Sequence, residues 1–422
     1  MKAEQIKKGF MDRNCDSLLL ELYEDEHRLD DQNQRYIGML EKYIAYYGND
    51  DVQIYNTPGR SEICGNHTDH QHGCVVAAGV NLDAIGAVSV QKDKVSIISD
   101  NFFLEDIEID DLTVKEEEKG TSEALVRGIL ARFQQLGYQI GGFKAYITSE
   151  VMIGAGLSSS AVFEVMIATI LSGLYNRQMI PSEELAKIAQ YAENVYFGKP
   201  CGLMDQCACA FGGLIAIDFK DAASPLIESL QIDFSAFHHC LCIVDTKGSH
   251  SDLTNDYAAI PLEMKKVAHF FGKEVLREVD EGTFYEQLNE IRKQCGDRSL
   301  LRAIHFFNEN QRVNGLVKAL KENDFKRFKE IMKASGDSSF KYLQNVYADP
   351  NHQSLSLALA LSEKILQDKG FCRVHGGGFA GTIQAFVEDE HAWSYKKEME
   401  KYFGEDSVHL LKIRKQGSIR MM

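Results

Sequence analysis

Among the ten cysteines of this 422-residue chain, no two form a C-x-x-C pair. Such pairs are typical of structural zinc sites, so we expect reduced and mostly buried thiols instead. Basic side chains are also in deficit, because 46 Lys and Arg face 62 Asp and Glu, giving a formal net charge of −16. This charge disfavours nucleic acid or an anionic membrane surface as the main partner.

No segment of the sequence resembles a targeting or membrane-spanning element. The first fourteen residues, MKAEQIKKGFMDRN, are too polar for a secretory signal peptide. The longest apolar run, AVFEVMIATIL at 161–171, contains Glu164 and is too short to cross a bilayer. We therefore expect a cytoplasmic protein, and the sequence predicts no obligatory protein partner.

Two common nucleotide-binding strings are missing, yet a different glycine loop is present. No G-x-x-x-x-G-K-[ST] string occurs, and a dinucleotide fingerprint would need a glycine where Ser159 stands. The segment IGAGLSSSA (153–161) follows a predicted strand and begins an apolar helix. Gly154 and Gly156 let the backbone approach a ligand closely. The hydroxyls and free amides of the first helical turn there suit a phosphate group.

Segregated strands and helices predict an α+β fold. Alternating or β-branched runs predict strands, and a 3.6-residue apolar period predicts helices. The predicted strands are 84–90, 94–100, 143–149, 240–246 and 381–387; the predicted helices are 122–137, 181–198 and 354–368. The acidic run 104–119 is expected to form a strand edge and a solvated loop. The length favours two domains, which we place at 1–230 and 231–422.

The glycine–serine loop resembles the second motif of the GHMP small-molecule kinases. That motif is approximately P-x-G-x-G-L-S-S-S-A, and this chain has MIGAGLSSSA at 152–161, with Met152 in place of proline. The resemblance implies ATP as phosphate donor and Mg²⁺ as its metal, with Ser160 as a metal ligand. The implied nucleotide-binding residues are Gly154, Gly156, Leu157, Ser158, Ser159 and Ser160.

Four further segments resemble galactokinases, in the family's order. PGRSEICGNHTDHQHG (58–73) is similar to the signature P-G-R-x-N-x-I-G-E-H-x-D-Y, and CGLMDQ (201–206) is similar to the string around the catalytic aspartate. HSDLTNDY (250–257) and RVHGGGFAGTIQAFV (373–387) match the tyrosine segment and the third glycine motif. The resemblance implies a two-domain GHMP kinase fold: an N-terminal domain of mixed sheet and helices, a ferredoxin-like C-terminal domain, and an active site in the cleft between them.

The same resemblance implies the reaction and its residues. The reaction is ATP-dependent phosphorylation of the C1 hydroxyl of a galactose-configured hexose, giving galactose 1-phosphate from D-galactose. The implied catalytic residues are Arg60 and Asp205, with Asp205 either a base or an electrostatic stabiliser; the metal ligands are Ser160 and Glu193; the substrate-binding residues are Asn66, His67, Asp69, His70, Gly202 and Tyr257. Asp69 would accept hydrogen bonds from two neighbouring sugar hydroxyls.

Departures from the signature leave alternatives open. The family's glutamate is Asn66 here and its tyrosine is His70, while Glu62 stands where the signature has asparagine. Because an asparagine does not repel a carboxylate, galacturonate is an alternative substrate. A non-catalytic, galactokinase-like sugar sensor and another GHMP kinase are further alternatives. A zinc site on His67, Asp69 and His70 is disfavoured, since Gly65 stands where a zinc signature has histidine.

Overall fold

The structure is a computed structural model that describes residues 1–100, 102–151, 157–248, 253–379 and 381–422. Within these residues the helices are α1 Ala3–Met11, α2 Asp16–Tyr23, α3 Leu29–Tyr47, α4 Ser122–Gln135, α5 Ser159–Tyr175, α6 Ser182–Tyr191, α7 Met204–Phe211, α8 Thr254–Phe270, α9 Glu281–Glu286, α10 Leu288–Cys295, α11 Asp297–Lys321, α12 Phe325–Ser338, α13 Ser354–Leu366 and α14 Asp389–Phe403. The strands are β1 Gln53–Cys64, β2 Cys74–Val90, β3 Lys94–Ser99, β4 Phe102–Phe103, β5 Ile107–Glu108, β6 Phe143–Ser149, β7 Leu214–Asp218, β8 Leu226–Leu230, β9 His239–Asp245, β10 Gly370–Val374, β11 Thr382–Glu388, β12 Val408–Leu411 and β13 Ile419–Arg420.

These strands form two sheets, which confirms the predicted α+β class. In the described chain the first sheet has the order β13-β1-β2-β6-β3-β4; β5 pairs with β3, and β7 joins β2 to β8. All its pairings are antiparallel except that of β3 with β6. The second sheet has the order β10-β11-β9-β12, and its pairings are antiparallel.

The strand content of the two sheets can be compared with the predicted domain division, which stays a prediction. The first sheet takes its strands from before residue 231 and the second takes its strands from after it. One element departs from this division, because β13 at the end of the chain pairs with β1, Tyr55 facing Arg420. The largest apolar cluster also joins the two parts, since Leu241, Ile243 and Phe386 pack into the core built on β1, β2 and α5.

The predicted elements lie where local pattern and capping both specify them. Strand β6 has the predicted limits, and α4 begins at the predicted residue. The Thr121 side chain caps α4 by accepting a hydrogen bond from the amide of Ala124. Predicted helix 181–198 is α6 followed by a π-helical turn at Ala192–Phe197, which widens the helix just where Glu193 enters the core.

The acidic run 104–119 forms the predicted edge and loop, with one addition. Strand β5 pairs with β3 at the sheet edge, and the loop after it returns to α4. There the buried Arg127 guanidinium donates to both carboxylate oxygens of Glu118 at 2.7 Å each. Among the described residues, no helix combines the length and the apolar character that crossing a membrane requires.

Candidate active site

Strand β1 carries Arg60 to the first helical turn of α7, where it meets Asp205. The pairing of β1 with β2 shifts register between Pro58 and Arg60. Arg60 donates from Nε to Asp205 Oδ1 at 2.6 Å and from Nη2 to Oδ2 at 2.7 Å. Arg60 is 8% exposed and the Asp205 side chain is 30% exposed, so this two-point ion pair is buried on the arginine side and partly open on the carboxylate side.

The environment of Asp205 holds it in its charged form. Burial alone would raise the pKa of this carboxyl, but the adjacent Arg60 charge and hydrogen bonds from Arg60 and Ser158 bring the pKa below its ordinary value. The carboxylate is therefore ionised throughout the physiological range. An anion stabilised in this way can orient and stabilise a nearby positive charge, and it is a weak proton acceptor.

The serine loop meets the same pair from the other side. Ser158 precedes α5 in the left-handed region, φ 55°, and its hydroxyl donates to Asp205 Oδ2 instead of capping the helix. The amide of Arg60 donates to the carbonyl of Leu157 at 3.4 Å. Ser159 and Ser160 open the helix, so their amides lie at its N-terminus. Gly154 and Gly156, also predicted to bind nucleotide, lie outside the described residues.

The loop at residues 65–73, here called the histidine loop, brings Asp69 to the segment that precedes α7. Gly202 contacts the Asp69 carboxylate so closely that a side chain at position 202 would overlap it. Burial raises the pKa of Asp69 above its ordinary value, and the neighbouring His67 opposes the shift. The structure thus brings Asp69 and Gly202 together, beside the segment that carries Asp205.

The two predicted histidines have different surroundings. His67 Nε2 donates to the carbonyl of Gly377 at 3.0 Å, which ties the histidine loop to the third glycine loop (residues 375–379). His70 Nε2 is buried and has no hydrogen-bond partner among the described residues. Burial, followed by the charges of His67 and Lys265, lowers the pKa of His70 well below its usual value. His70 is therefore a neutral ring that can still accept or donate one hydrogen bond.

Asn66 differs from its predicted environment. The side chain is fully buried, and its Nδ2 donates to Glu62 Oε2 at 3.0 Å and to the Gly376 carbonyl at 2.6 Å. Its Oδ1 accepts from Asn345 Nδ2 at 2.8 Å and from Ser339 Oγ at 3.3 Å. Two donors and two lone pairs are the whole capacity of a primary amide. The predicted contact of Asn66 with a sugar, on which the galacturonate alternative depended, would have to replace one of these hydrogen bonds, and it stays a prediction.

Tyr257 lies against the third glycine loop. Its hydroxyl donates to the Gly378 carbonyl at 2.7 Å, and burial raises its pKa to about 12, so the phenol keeps its proton. Gly377 lies against the Tyr257 ring. A Cβ atom at position 377 would be 2.7 Å from Tyr257 Cε1, so the contact leaves no room for a side chain there. His375 forms hydrogen bonds with Ser61 Oγ and Thr382 Oγ1. His250 and Ala380 of these segments lie outside the described residues.

The predicted metal ligand Glu193 lies in a buried acidic cluster. Its Oε2 accepts from Gln206 Nε2 at 2.9 Å, and its Oε1 pairs with Lys199 at 3.2 Å. Gln206 also donates to the buried Glu164, whose Oε1 has no hydrogen-bond partner among the described residues. The cluster thus has more oxygen acceptors than donors. Mg²⁺ prefers such oxygen ligands, so the residues fit this metal.

The zinc alternative on the histidine loop finds no support in the geometry. His67 and His70 have their ring centroids 5.7 Å apart, and His67 is bonded to a carbonyl. In the part of the chain that the structure describes, one group of acidic and histidine side chains is close enough to share a metal. It is Glu388, Glu390 and His391, far along the chain where β11 ends and α14 begins.

Several residues of the site were not predicted from sequence. Glu164 had a signal, a lone carboxylate one helical turn after Ser160 in an otherwise apolar helix. Arg373, His305 and Glu309 had none that pattern alone could detect. His305 donates to the Asn66 carbonyl at 2.9 Å, and the Gly65 amide donates to Glu309 at 3.2 Å, so α11 supports the histidine loop from behind.

Comparison with known proteins shows the family of the chain. A family described as the GHMP kinases N terminal domain matches residues 124–213, and the galactokinase galactose-binding signature matches residues 41–90. Galactokinase from Thermotoga petrophila is 30% identical over 359 residues, which are 83% of this chain and 94% of the relative. Galactokinase from Streptomyces coelicolor is 28% identical over 86% of this chain and 92% of the relative.

The chain belongs to the galactokinase family. It is therefore an enzyme, a sugar kinase of the GHMP superfamily, whose members use ATP as phosphate donor. The solved structure of Lactococcus lactis galactokinase complexed with galactose has the same fold, with a TM-score of 0.77 and 24% identity over 90% of this chain and 98% of that one. A mevalonate kinase shares the fold more distantly, with a TM-score of 0.61 and 17% identity over 86% of this chain and 99% of that one. The predicted GHMP kinase fold is confirmed.

Proposed function

We propose that this kinase transfers the γ-phosphoryl group of ATP to the C1 hydroxyl of D-galactose, giving galactose 1-phosphate and ADP. The observation that carries the proposal is the two-point Arg60–Asp205 ion pair, with Ser158 bonded to Asp205 and with Asp69 beside Gly202. In this proposal the serine loop binds phosphate and the Asp69 carboxylate binds sugar hydroxyls, and both lie close to Asp205. Relatives named galactokinase support galactose as the sugar.

In this reaction the C1 oxygen forms a bond to the γ-phosphorus while the bond from that phosphorus to the β–γ bridging oxygen breaks. If Asp205 acts as the base, the hydroxyl proton passes to its carboxylate as the new bond forms; if Asp205 acts only electrostatically, the proton passes to water. The Arg60 guanidinium would stabilise the C1 oxygen as it becomes negative and the charge on the transferred group. Asp205, kept ionised by Arg60, would hold that guanidinium in place and attract the departing proton.

Recognition of the sugar would depend on Asp69. A carboxylate that accepts from two neighbouring hydroxyls makes charge-assisted hydrogen bonds and so reads their configuration. Gly202 leaves space for this carboxylate, because a Cβ atom at position 202 would overlap Asp69 Oδ2. Asp69 is proposed to face the 3- and 4-hydroxyls, with His67, His70 and Tyr257 completing the pocket.

The metal site is proposed at Ser160 and Glu193. Mg²⁺ bound there would neutralise charge on the nucleotide phosphates. Glu193 is held by Gln206, which also holds Glu164, so its carboxylate is oriented before any ligand arrives.

A panel of sugars with Mg²⁺ and ATP, followed by release of ADP, tests the proposal. We expect galactose to be the preferred substrate, glucose to react poorly because its 4-hydroxyl points the other way, and NMR of the product to show phosphate on C1. Galacturonate belongs in the same panel. Phosphorylation of galacturonate without phosphorylation of galactose would contradict the proposal, and so would a product phosphorylated at any other carbon.

A further inference from the structure

At positions 62 and 66 this chain has a carboxylate followed by an amide, which is the opposite of the order in the galactokinase signature. The galactokinase signature has asparagine at the first of these positions and glutamate at the second, whereas this chain has Glu62 and Asn66. In the structure the two side chains touch, because Asn66 Nδ2 donates to Glu62 Oε2 at 3.0 Å and also lies 3.3 Å from Oε1. The two departures are therefore one paired change.

The Glu62 carboxylate is held from the second sheet. Arg373 on β10 donates from Nη2 to Glu62 Oε1 at 3.0 Å and from Nη1 to the Ile63 carbonyl at 2.7 Å. Gln384 on β11 donates to the Glu62 carbonyl at 3.1 Å. Both charged side chains are sealed from solvent, with 5% and 1% exposure. A buried charge without its partner is strongly unfavourable, so each depends on the other.

Asn66 links Glu62 to the third glycine loop. One hydrogen of its amide meets Glu62, and the other meets the carbonyl of Gly376 at 2.6 Å. A glutamate at position 66 would set its carboxylate against two acceptors, the Glu62 carboxylate and the Gly376 carbonyl. An amide is needed at 66 as long as a carboxylate stands at 62.

We infer that Glu62, Asn66 and Arg373 form a positioning unit that fixes the third glycine loop on the histidine loop, and that the sugar-kinase reaction depends on Glu62 and Asn66 through this placement. The kinetic part of this inference rests on the proposed function. The loop that the unit holds contains Gly377 and Gly378, whose carbonyls accept from His67 and Tyr257. Loosening the loop would therefore disturb two proposed sugar-pocket residues at once.

The test is a double-mutant cycle with E62N, N66E and the exchange E62N/N66E. Each single variant should lower Tm by roughly 5–10 °C, because one leaves Arg373 unpaired and the other brings two carboxylates together. The exchange should lower Tm less than either single change, since one carboxylate and one amide are again present. Hydrogen exchange of the peptide 371–379 should rise in the single variants and return towards the wild-type rate in the exchange.

Glu118→Asn is the matched control. Like Glu62 with Arg373, Glu118 is hydrogen-bonded to a buried arginine, Arg127, but it lies in the loop between β5 and α4. We expect E118N to lower Tm and leave hydrogen exchange at 371–379 unchanged. At a temperature where all variants are folded, E62N should raise KM for sugar or ATP at least tenfold, and E118N should not. E62Q and N66D repeat the cycle with smaller changes if a single variant fails to fold.

Two results would overturn the inference. Additive Tm changes in the cycle would mean that positions 62 and 66 act independently. Equal KM values for E62N and E118N, with no change in exchange at 371–379, would mean that Glu62 only stabilises the fold. A wild-type protein that fails to phosphorylate galactose would instead contradict the proposed function, and the Tm cycle and the exchange data would still decide the inference.

Discussion

Strand β1 supplies one residue to each of two ion pairs, Arg60 and Glu62. The two pairs differ in how much of their side chains is exposed to solvent. Arg60 pairs with Asp205 in its own half of the molecule, and the Asp205 side chain is 30% exposed. Glu62 pairs with Arg373 on the other sheet, where the arginine side chain is 1% exposed. We call Arg60–Asp205 the open pair and Glu62–Arg373 the sealed pair.

The difference does not come from the register of β1 against β2, which is regular from Arg60 to Glu62. Residues 60 and 62 are two apart, so a regular strand would direct both side chains to one face. Register shifts occur between Pro58 and Arg60 and between Glu62 and Cys64, at either end of this short segment. One face of one strand thus supplies both a partly exposed charged pair and a charged pair that joins the sheets. Accessibility, more than residue type, separates a proposed catalytic role from a positioning one.

Removing the charge of the open pair should have the largest effect on the reaction. Asp205→Asn keeps the size of the side chain and removes the anion that holds Arg60. We expect kcat to fall by about 10³-fold, within the range for groups that act on charge and proton transfer. The measurement is ADP release at saturating galactose and ATP.

Glu118→Gln is the geometric control for Asp205→Asn, because Arg127 also donates to its partner from Nε and Nη2. It should leave kcat within about twofold of wild type. Comparable losses of kcat in D205N and E118Q would mean that the open pair only supports the fold.

Sugar recognition should fail by a smaller factor when Asp69 loses its charge. A hydrogen bond to a charged group contributes about 1.5–3 kcal/mol, so Asp69→Asn should raise KM for galactose about 10- to 100-fold. KM for ATP should hardly change. The ratio of kcat/KM for galactose over glucose should also fall, because the carboxylate reads the 4-hydroxyl. An unchanged ratio would assign that discrimination to another residue.

The metal site should weaken by at least tenfold when Glu193 becomes glutamine. Binding of Mn²⁺ in the presence of a non-hydrolysable ATP analogue, followed by electron paramagnetic resonance, measures this without turnover. Glu183→Gln on α6 is the control, because Glu183 forms a surface pair with Lys187 at 2.8 Å. Equal Mn²⁺ affinity in E193Q and E183Q would remove Glu193 from the metal site.

Acid should weaken the region around the sealed pair in a predictable range. Burial would raise the pKa of Glu309, but His305, Arg373 and Arg312 outweigh it and lower the pKa to about 2. A carboxyl with a lowered pKa contributes stability that is present above its unfolded value of 4.5 and is lost as pH falls towards 2. The contribution is about 3 kcal/mol at neutral pH.

Thermal unfolding of wild type and Glu309→Gln across pH measures this contribution. The Tm difference should be constant from pH 6 to 8 and should shrink between pH 4.5 and 2. Other groups affect both proteins, since burial lowers the pKa of His305 to about 4 and of His375 to about 3. A Tm difference that does not change with pH would show that Glu309 acts through packing and not through its charge.

Short sequence patterns predicted the helices and strands whose conformation is set by the preferences of their own residues. Strand β6 has the predicted limits 143–149, because its β-branched and aromatic residues suit a pleated sheet wherever it packs. Helix α11 was not predicted, although it is the longest helix described, with 25 residues. Its buried side includes Arg302, His305 and Glu309, so the apolar stripe that would identify it is interrupted.

By itself the sequence determined the family, the order of its motifs and the residue types of the site, since these depend on short strings and their spacing. Only the tertiary structure decided that Ser158 bonds Asp205 instead of its own helix, and that Asn66 bonds Gly376, 310 residues away. The physical reason is that the polar side chains of a buried site obtain their hydrogen bonds from whatever the fold places beside them. Short sequence patterns do not indicate which residues those neighbours are.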